Sequence, residues 1–219
     1  LRRDFDYLGA TLAALPFELR PAGRALICGT GESPSVLLAA RREEGEAVWV
    51  ERNPRIPEAV ARRGLLPARV RTQIESPRAF LERAPAEFDL IVFDSTADGA
   101  DALQEESLLT IEGLGAALRA LGSGGALAIA LPASNPPRHL RKLMRMARQA
   151  LGARGAQTPS RQILAARSMR QMILCLFAAP VSERDLEIFH NFCDRLEFDP
   201  VYAPGLEEER SNRFHRLDT

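Results

Sequence analysis

Residues 25–34 read ALICGTGESP. The apolar run Ala25, Leu26, Ile27, Cys28 breaks at Gly29-Thr30-Gly31-Glu32, and Ser33-Pro34 then opens a helix-like segment. The pattern predicts a buried strand, a tight glycine turn and a helix start. Glycines let backbone approach a ligand where a Cβ would collide. The helix start aims unpaired N–H groups at the same place. A second apolar run, Ala47-Val48-Trp49-Val50, ends in Glu51. A carboxylate there suits a ribose diol, because it accepts hydrogen bonds from both hydroxyls. Residues 25–51 therefore read as half of a nucleoside-binding site.

Working outward, the same alternation recurs. Upstream, Phe5, Leu8, Leu12 and Leu15 have helical spacing, and Pro16 is expected to end that run. Downstream, helix 33–42, strand 47–50, a helix from Asn53-Pro54 to Gly64, strand 69–74 and helix 76–83 follow. Strand 89–93 ends in Asp94-Ser95, and a loop over 96–105 precedes helix 108–121. Gly122-Ser123-Gly124-Gly125 is expected to turn into strand 126–131, and Asn135-Pro136 to begin a helix reaching Leu151. Short apolar runs alternating with helices imply a parallel sheet with crossovers on both faces. Ser33-Pro34, Asn53-Pro54, Ser76-Pro77 and Asn135-Pro136 each pair a capping oxygen with a proline whose missing N–H is not needed there. All four fall at the carboxyl edge of the sheet, where doubly wound folds bind ligands. The tail departs from this rhythm. Runs 161–166 and 171–178 predict an antiparallel hairpin, 181–196 a helix, and the last twenty residues a loop.

The bulk numbers bound the function. A chain of 219 residues with 46% hydrophobic content supports one sizeable domain. The 29 basic and 29 acidic residues balance, which argues against a general nucleic-acid or membrane-surface binder. Cys28, Cys175 and Cys193 show no metal-ligand or disulfide spacing and read as reduced, buried thiols, so no metal is expected and a cytoplasmic setting is. The longest apolar run, near 172–179, is too short to span a bilayer. The first residue is Leu1, so the chain is expected to be part of a longer protein, and any membrane attachment to come through flanking sequence.

Gly29-x-Gly31 lacks the third glycine of a dinucleotide fingerprint, since Pro34 stands in its place. The late hairpin is typical instead of the class I S-adenosylmethionine-dependent methyltransferase fold, a Rossmann-like doubly wound sheet of seven strands. Within it the motif order resembles spermidine synthase and its relatives. Leu15-Pro16, Arg24 and the 29–33 turn take the places of that family's Leu-Pro, basic step and GGGDG. Glu51-Arg52-Asn53-Pro54 takes that of the strand-two acid, and 75–81 (ESPRAFL) that of DDG-x-x-FL. Phe88-Asp89-Leu90-Ile91-Val92-Phe93-Asp94-Ser95-Thr96 resembles FDVIIxDSSDP, and the tail from Phe198-Asp199-Pro200 to Asn212-Arg213-Phe214 resembles that of bacterial members, some fused to membrane segments. The resemblance covers nearly the whole chain as a single domain, 1–219, with 1–23 a lead-in and 181–219 a C-terminal helix and tail. The family's N-terminal β-domain is absent.

The resemblance implies S-adenosylmethionine or its decarboxylated form as the cofactor, with methylthioadenosine as a product and no metal. Glu51 would hold the ribose, Glu75 and Ser76 would flank the adenine, and Gly29, Thr30, Gly31 and Glu32 the methionine-derived part, with Ser95 beside them. Asp94 would take the proton from an attacking small amine, since only a neutral amine displaces a sulfonium. The plain alternative for Asp94 is an acid capping the strand end or the next loop. A homodimer is compatible with the family, and no nucleic-acid partner is implied. The chain also departs from the pattern. Glu32 replaces the turn's Asp, Glu75-Ser76-Pro77 loses one carboxylate of DDG, and Ala97 stands where the second acid of DSSDP belongs. Leu8-Gly9-Ala10 replaces the aromatic–His/Gln–Glu element that helps bind the polyamine. A catalytically degenerate structural or regulatory domain is therefore the alternative to a transferase, and a nicotinamide oxidoreductase a weaker third.

His139, His190 and His215 read as surface or packing residues. Trp49 reads as core, with stacking near adenine as the alternative. Arg138, Arg141, Lys142, Arg145 and Arg148 read as a solvated helix face, with an acidic partner or anionic lipid as the alternative.

Overall fold

The computed structural model describes residues 3–29, 33–42, 44–66, 69–94, 107–134 and 136–206, with side chains from residue 6 onward. Eight strands form one sheet: β1 (Arg24–Gly29), β2 (Glu46–Glu51), β3 (Val70–Ile74), β4 (Phe88–Asp94), β5 (Leu121–Pro132), β6 (Ile163–Arg167), β7 (Gln171–Phe177) and β8 (Asp199–Tyr202). Their order is β3-β2-β1-β4-β5-β7-β6-β8. The first five are parallel, and β6, β7 and β8 continue the sheet through antiparallel pairings. Among the described residues seven α-helices accompany them: α1 (Leu15–Leu19), α2 (Pro34–Arg41), α3 (Arg55–Arg62), α4 (Pro77–Arg83), α5 (Ile111–Ala120), α6 (Arg138–Ala153) and α7 (Glu183–Leu196).

Successive strand residues point to opposite faces, so two apolar layers form, one on each side. Leu26, Cys28, Ile91, Phe93, Leu127 and Ile129 pack with α4, α5 and α6. Ala25, Ile27, Trp49, Leu90 and Val92 pack with the N-terminal segment, α2 and α7. The parallel sheet expected from the alternation is present, as is the class I methyltransferase-type hairpin, at β6–β7, with one strand more than the expected seven. The extra strand, β8, lies in the stretch read as loop. Pro200 is tolerated in it because β8 is an edge strand, where a missing N–H breaks no ladder.

Three boundaries differ from expectation for identifiable reasons. Pro16 does not end a helix. It lies in the first turn of α1, where the missing N–H has no partner to lose, and the preceding residues form 3₁₀ turns, Arg3–Ala10 and Leu12–Ala14. The glycines at 122–125 do not form a separate turn but belong to β5. A Cβ on Gly125 would lie 2.6 Å from the Phe88 carbonyl oxygen, so the close approach of β4 and β5 demands glycine there. Finally, α6 begins at Arg138, after Pro137, without a side-chain cap, and Asn135 lies outside the described residues.

Candidate active site

The strand order turns back on itself at β1, which pairs with β2 on one side and β4 on the other. Ligands of such sheets bind in the crevice beyond the carboxyl ends at that point. Register aligns one row across this edge. Gly29 is level with Asp94, and Glu51 follows Val50, the partner of Cys28, so it too is level with Gly29. Residues of one row share a face. Glu51 and Asp94 thus flank the side-chain-free Gly29 on the α2 side of the sheet, roughly 10 Å apart at two strand spacings.

Asp94 is 2% exposed. Its Oδ2 accepts hydrogen bonds from the Ser33 hydroxyl, from the Ser35 hydroxyl at 2.6 Å, and from the Ser35 amide at 3.4 Å. Ser33 also caps α2, its Oγ accepting from the Ser35 amide at 3.2 Å. The carboxylate therefore sits at the positive end of α2, held by two hydroxyls from one Ser-Pro-Ser step. Its Oδ1 is buried and accepts no hydrogen bond from the described residues. Sequence reasoning reached Asp94 and the Ser33 cap but not the hydroxyls' shared target. The available signal was Ser35, a second hydroxyl two residues into a helix that starts beside β4.

Gly29 is required by packing alone. A Cβ there would meet the Asp94 Cβ at 3.0 Å and the Asp94 carbonyl oxygen at 3.1 Å. Its own carbonyl accepts from Trp49 Nε1 at 2.9 Å. Trp49 is wholly buried, so it belongs to the core as expected and also fixes the last peptide before the turn. The Glu51 Oε1 accepts from the Asn53 amide at 2.8 Å, and the Glu51 carbonyl accepts from the Glu75 amide at 3.1 Å. The Asn53 Oδ1 in turn accepts from the amide of Arg55, the first residue of α3, at 3.1 Å. The ends of β2 and β3 are thereby tied together.

On the expected adenine side, Glu75 is engaged. Arg83, the last residue of α4, reaches back with two nitrogens to both its oxygens. This bidentate hydrogen bonding holds the Glu75 carboxyl below the usual range, and a small burial penalty opposes it. The Arg83 guanidinium also lies 5.3 Å from the centre of the Phe80 ring. Arg83 was not singled out from the sequence. Ser76 precedes α4 without capping it through its side chain. Thr30, Gly31, Glu32 and Ser95 lie outside the described residues. Among the described residues no cluster of His, Cys, Asp and Glu could hold a metal ion, and no helix is long and apolar enough to cross a membrane. A cleft of about 440 Å³, lined by Leu151, Arg154, Arg161, Gln162 and Pro180 among others, opens at the opposite, amino edge.

No protein-family model matches the chain, and no curated protein sequence does so significantly. Solved structures do match. A probable spermidine synthase from Corynebacterium glutamicum ATCC 13032 superposes with TM-score 0.69 at 14% identity, over 97% of this chain and 79% of that one. The spermidine synthase of Thermotoga maritima gives 0.59 at 17% identity over 83% of this chain, and this chain spans 62% of that enzyme's length. Human methyltransferase-like protein 13, solved in complex with SAH, gives 0.58 at 16% identity, over 88% of this chain and 91% of that one. The fold is thus that of the spermidine synthases and class I S-adenosylmethionine methyltransferases.

Proposed function

We propose that this chain is a divergent spermidine synthase-like domain that binds S-adenosylmethionine or its decarboxylated form and transfers a carbon group from it to a small amine. The observation that carries the reading is the row Glu51–Gly29–Asp94 at the topological switch point, with the start of α2 beside it. Glu51 would take the ribose hydroxyls, Gly29 would border the methionine-derived part, and Ser76 would border the adenine. Glu75 fits that last role less well, because Arg83 already holds both its oxygens. Bound there, the ligand supplies an electrophilic carbon on a sulfonium. The chain's own contribution is Asp94, whose buried Oδ1 lacks a donor and suits an amine N–H. Titration calorimetry with S-adenosylmethionine, its decarboxylated form and methylthioadenosine tests the proposal. Glu51→Gln should weaken binding by roughly tenfold or more, the worth of a charge-assisted hydrogen bond. No heat with any of the three ligands would remove the nucleoside premise.

A second reading, a domain that binds the nucleoside without turning it over, is favoured by the Asp94 clamp. An acid that is 2% exposed and held on one oxygen by two serines is built first as a helix cap. Aminopropyl transfer to putrescine, lost in Asp94→Asn, would decide for catalysis.

A further inference from the structure

The chain's charges balance in total but not in place. Residues 113–182 contain ten Arg and Lys and no Asp or Glu, so the remainder carries ten more acids than bases. These seventy residues comprise nearly all of α5, then β5, α6, β6 and β7. Helix α6 turns Leu140, Leu143, Met144, Ala147, Ala150 and Leu151 into the core. Its outward side presents Arg138, Lys142 and Arg145, all exposed, on a helix about 24 Å long. At the same carboxyl edge where this helix begins lies the β6–β7 turn, whose Arg170 carbonyl accepts from the Ala133 amide just after β5 at 2.8 Å. Ser168 fixes the turn, its Oγ accepting from the Gln171 amide at 3.1 Å. The turn holds Met169 at 93% exposure, between Arg167 and Arg170.

We propose that the outer side of α6 and the β6–β7 turn form a docking surface for an anionic lipid bilayer. Cations in this number beside a flat surface attract anionic headgroups, and a neutral protein with segregated charge is drawn in one orientation only. An apolar side chain held into water by a fixed turn and flanked by arginines is suited to enter the headgroup layer. A nucleic acid is served less well. The only Phe, Tyr or Trp in residues 113–182 is Phe177, which is buried, so this surface has no platform for stacking bases.

The test is co-sedimentation of the full chain with phosphatidylcholine vesicles, with and without phosphatidylglycerol, at low ionic strength. Binding is expected only when phosphatidylglycerol is present, and raising the salt to physiological strength should weaken it as the screening length falls to about 8 Å. Each cation is worth about fivefold in partitioning, so Lys142→Gln/Arg145→Gln should lower it roughly 25-fold. Met169→Ser should lower it severalfold, and both variants should keep the wild-type circular dichroism. Absence of binding to phosphatidylglycerol vesicles would overturn the proposal, as would binding that the double variant leaves intact. Displacement from vesicles by a short DNA duplex, with Met169→Ser partitioning like wild type, would assign the surface to nucleic acid instead.

Discussion

Replacing Ser35 by alanine tests whether Asp94 is held as described. Asp94 is 2% exposed, and its Oδ1 already lacks a donor. Among the described residues all its hydrogen bonding falls on Oδ2, where the Ser35 hydroxyl contributes a bond of 2.6 Å. A hydrogen bond to a charged group is worth about 1.5–3 kcal/mol, and Ser33 remains as a second donor, so Ser35→Ala should cost about 2 kcal/mol. Equilibrium unfolding in urea measures this. With a slope near 2.5 kcal/mol/M for a chain of this size, the midpoint should fall by about 0.8 M at unchanged slope. The double variant Ser35→Ala/Asp94→Ala should then cost at least about 1 kcal/mol less than the two single variants combined, because the deleted partners act on each other. A midpoint within about 0.2 M of wild type, or strictly additive single variants, would refute the clamp.

Other perturbations follow from the same structure. Gly29→Ala should destabilise by about 1–3 kcal/mol in urea, since its Cβ would press on Asp94 at 3.0 Å. Burial pushes the Asp185 carboxyl up, but hydrogen bonds from Arg20 and Ser182 outweigh that and leave it below the usual range. A depressed carboxylate contributes stability above its unfolded pKa and loses it as pH falls through the folded one. Asp185→Asn should therefore cost about 1–2 kcal/mol at neutral pH, with the difference vanishing in acid unfolding below the folded pKa. The NMR titration of Glu75 should have its midpoint below the ordinary carboxylate range and return toward it in Arg83→Gln, with little change in stability because Arg83 is exposed and Glu75 only half-buried. Burial pushes the Cys175 thiol up to about 12, and Cys28 and Cys193 are buried as well. All three thiols should resist a disulfide reagent at neutral pH until the chain is unfolded.

The sheet was legible because its signals are local. Central strands such as β1 and β4 are short, mostly apolar runs bounded by a glycine turn or an acid, and the run with its boundaries located them within a residue. The glycines before Ala126 misled, because the same residue type that makes turns also permits close strand approach. The reason it is needed, the Phe88 carbonyl, lies far away in sequence. β8 escaped for a similar reason. A four-residue edge strand containing Pro200 has no pattern of its own and exists only because β6 offers it a free edge.

The candidate site divides along the same line. That Glu51 and Asp94 both end strands at the carboxyl edge follows from counting strands, and their alignment with Gly29 follows from parallel register. What each carboxylate does next depends on partners that no spacing rule connects. Asp94 meets hydroxyls some sixty residues earlier in the chain, and Glu75 meets an arginine eight residues later, whose long side chain reaches back from the last residue of α4. Both acids were read as facing a ligand, and in both cases the first claim on the carboxylate is internal. The difference between them is geometric. Arg83 takes both oxygens of Glu75, whereas the serines take one oxygen of Asp94 and leave the other buried without a donor. An orphaned carboxylate oxygen in the interior costs about 1–3 kcal/mol unless something supplies a hydrogen bond. That cost makes Asp94, rather than Glu75, the position from which a bound amine would gain most.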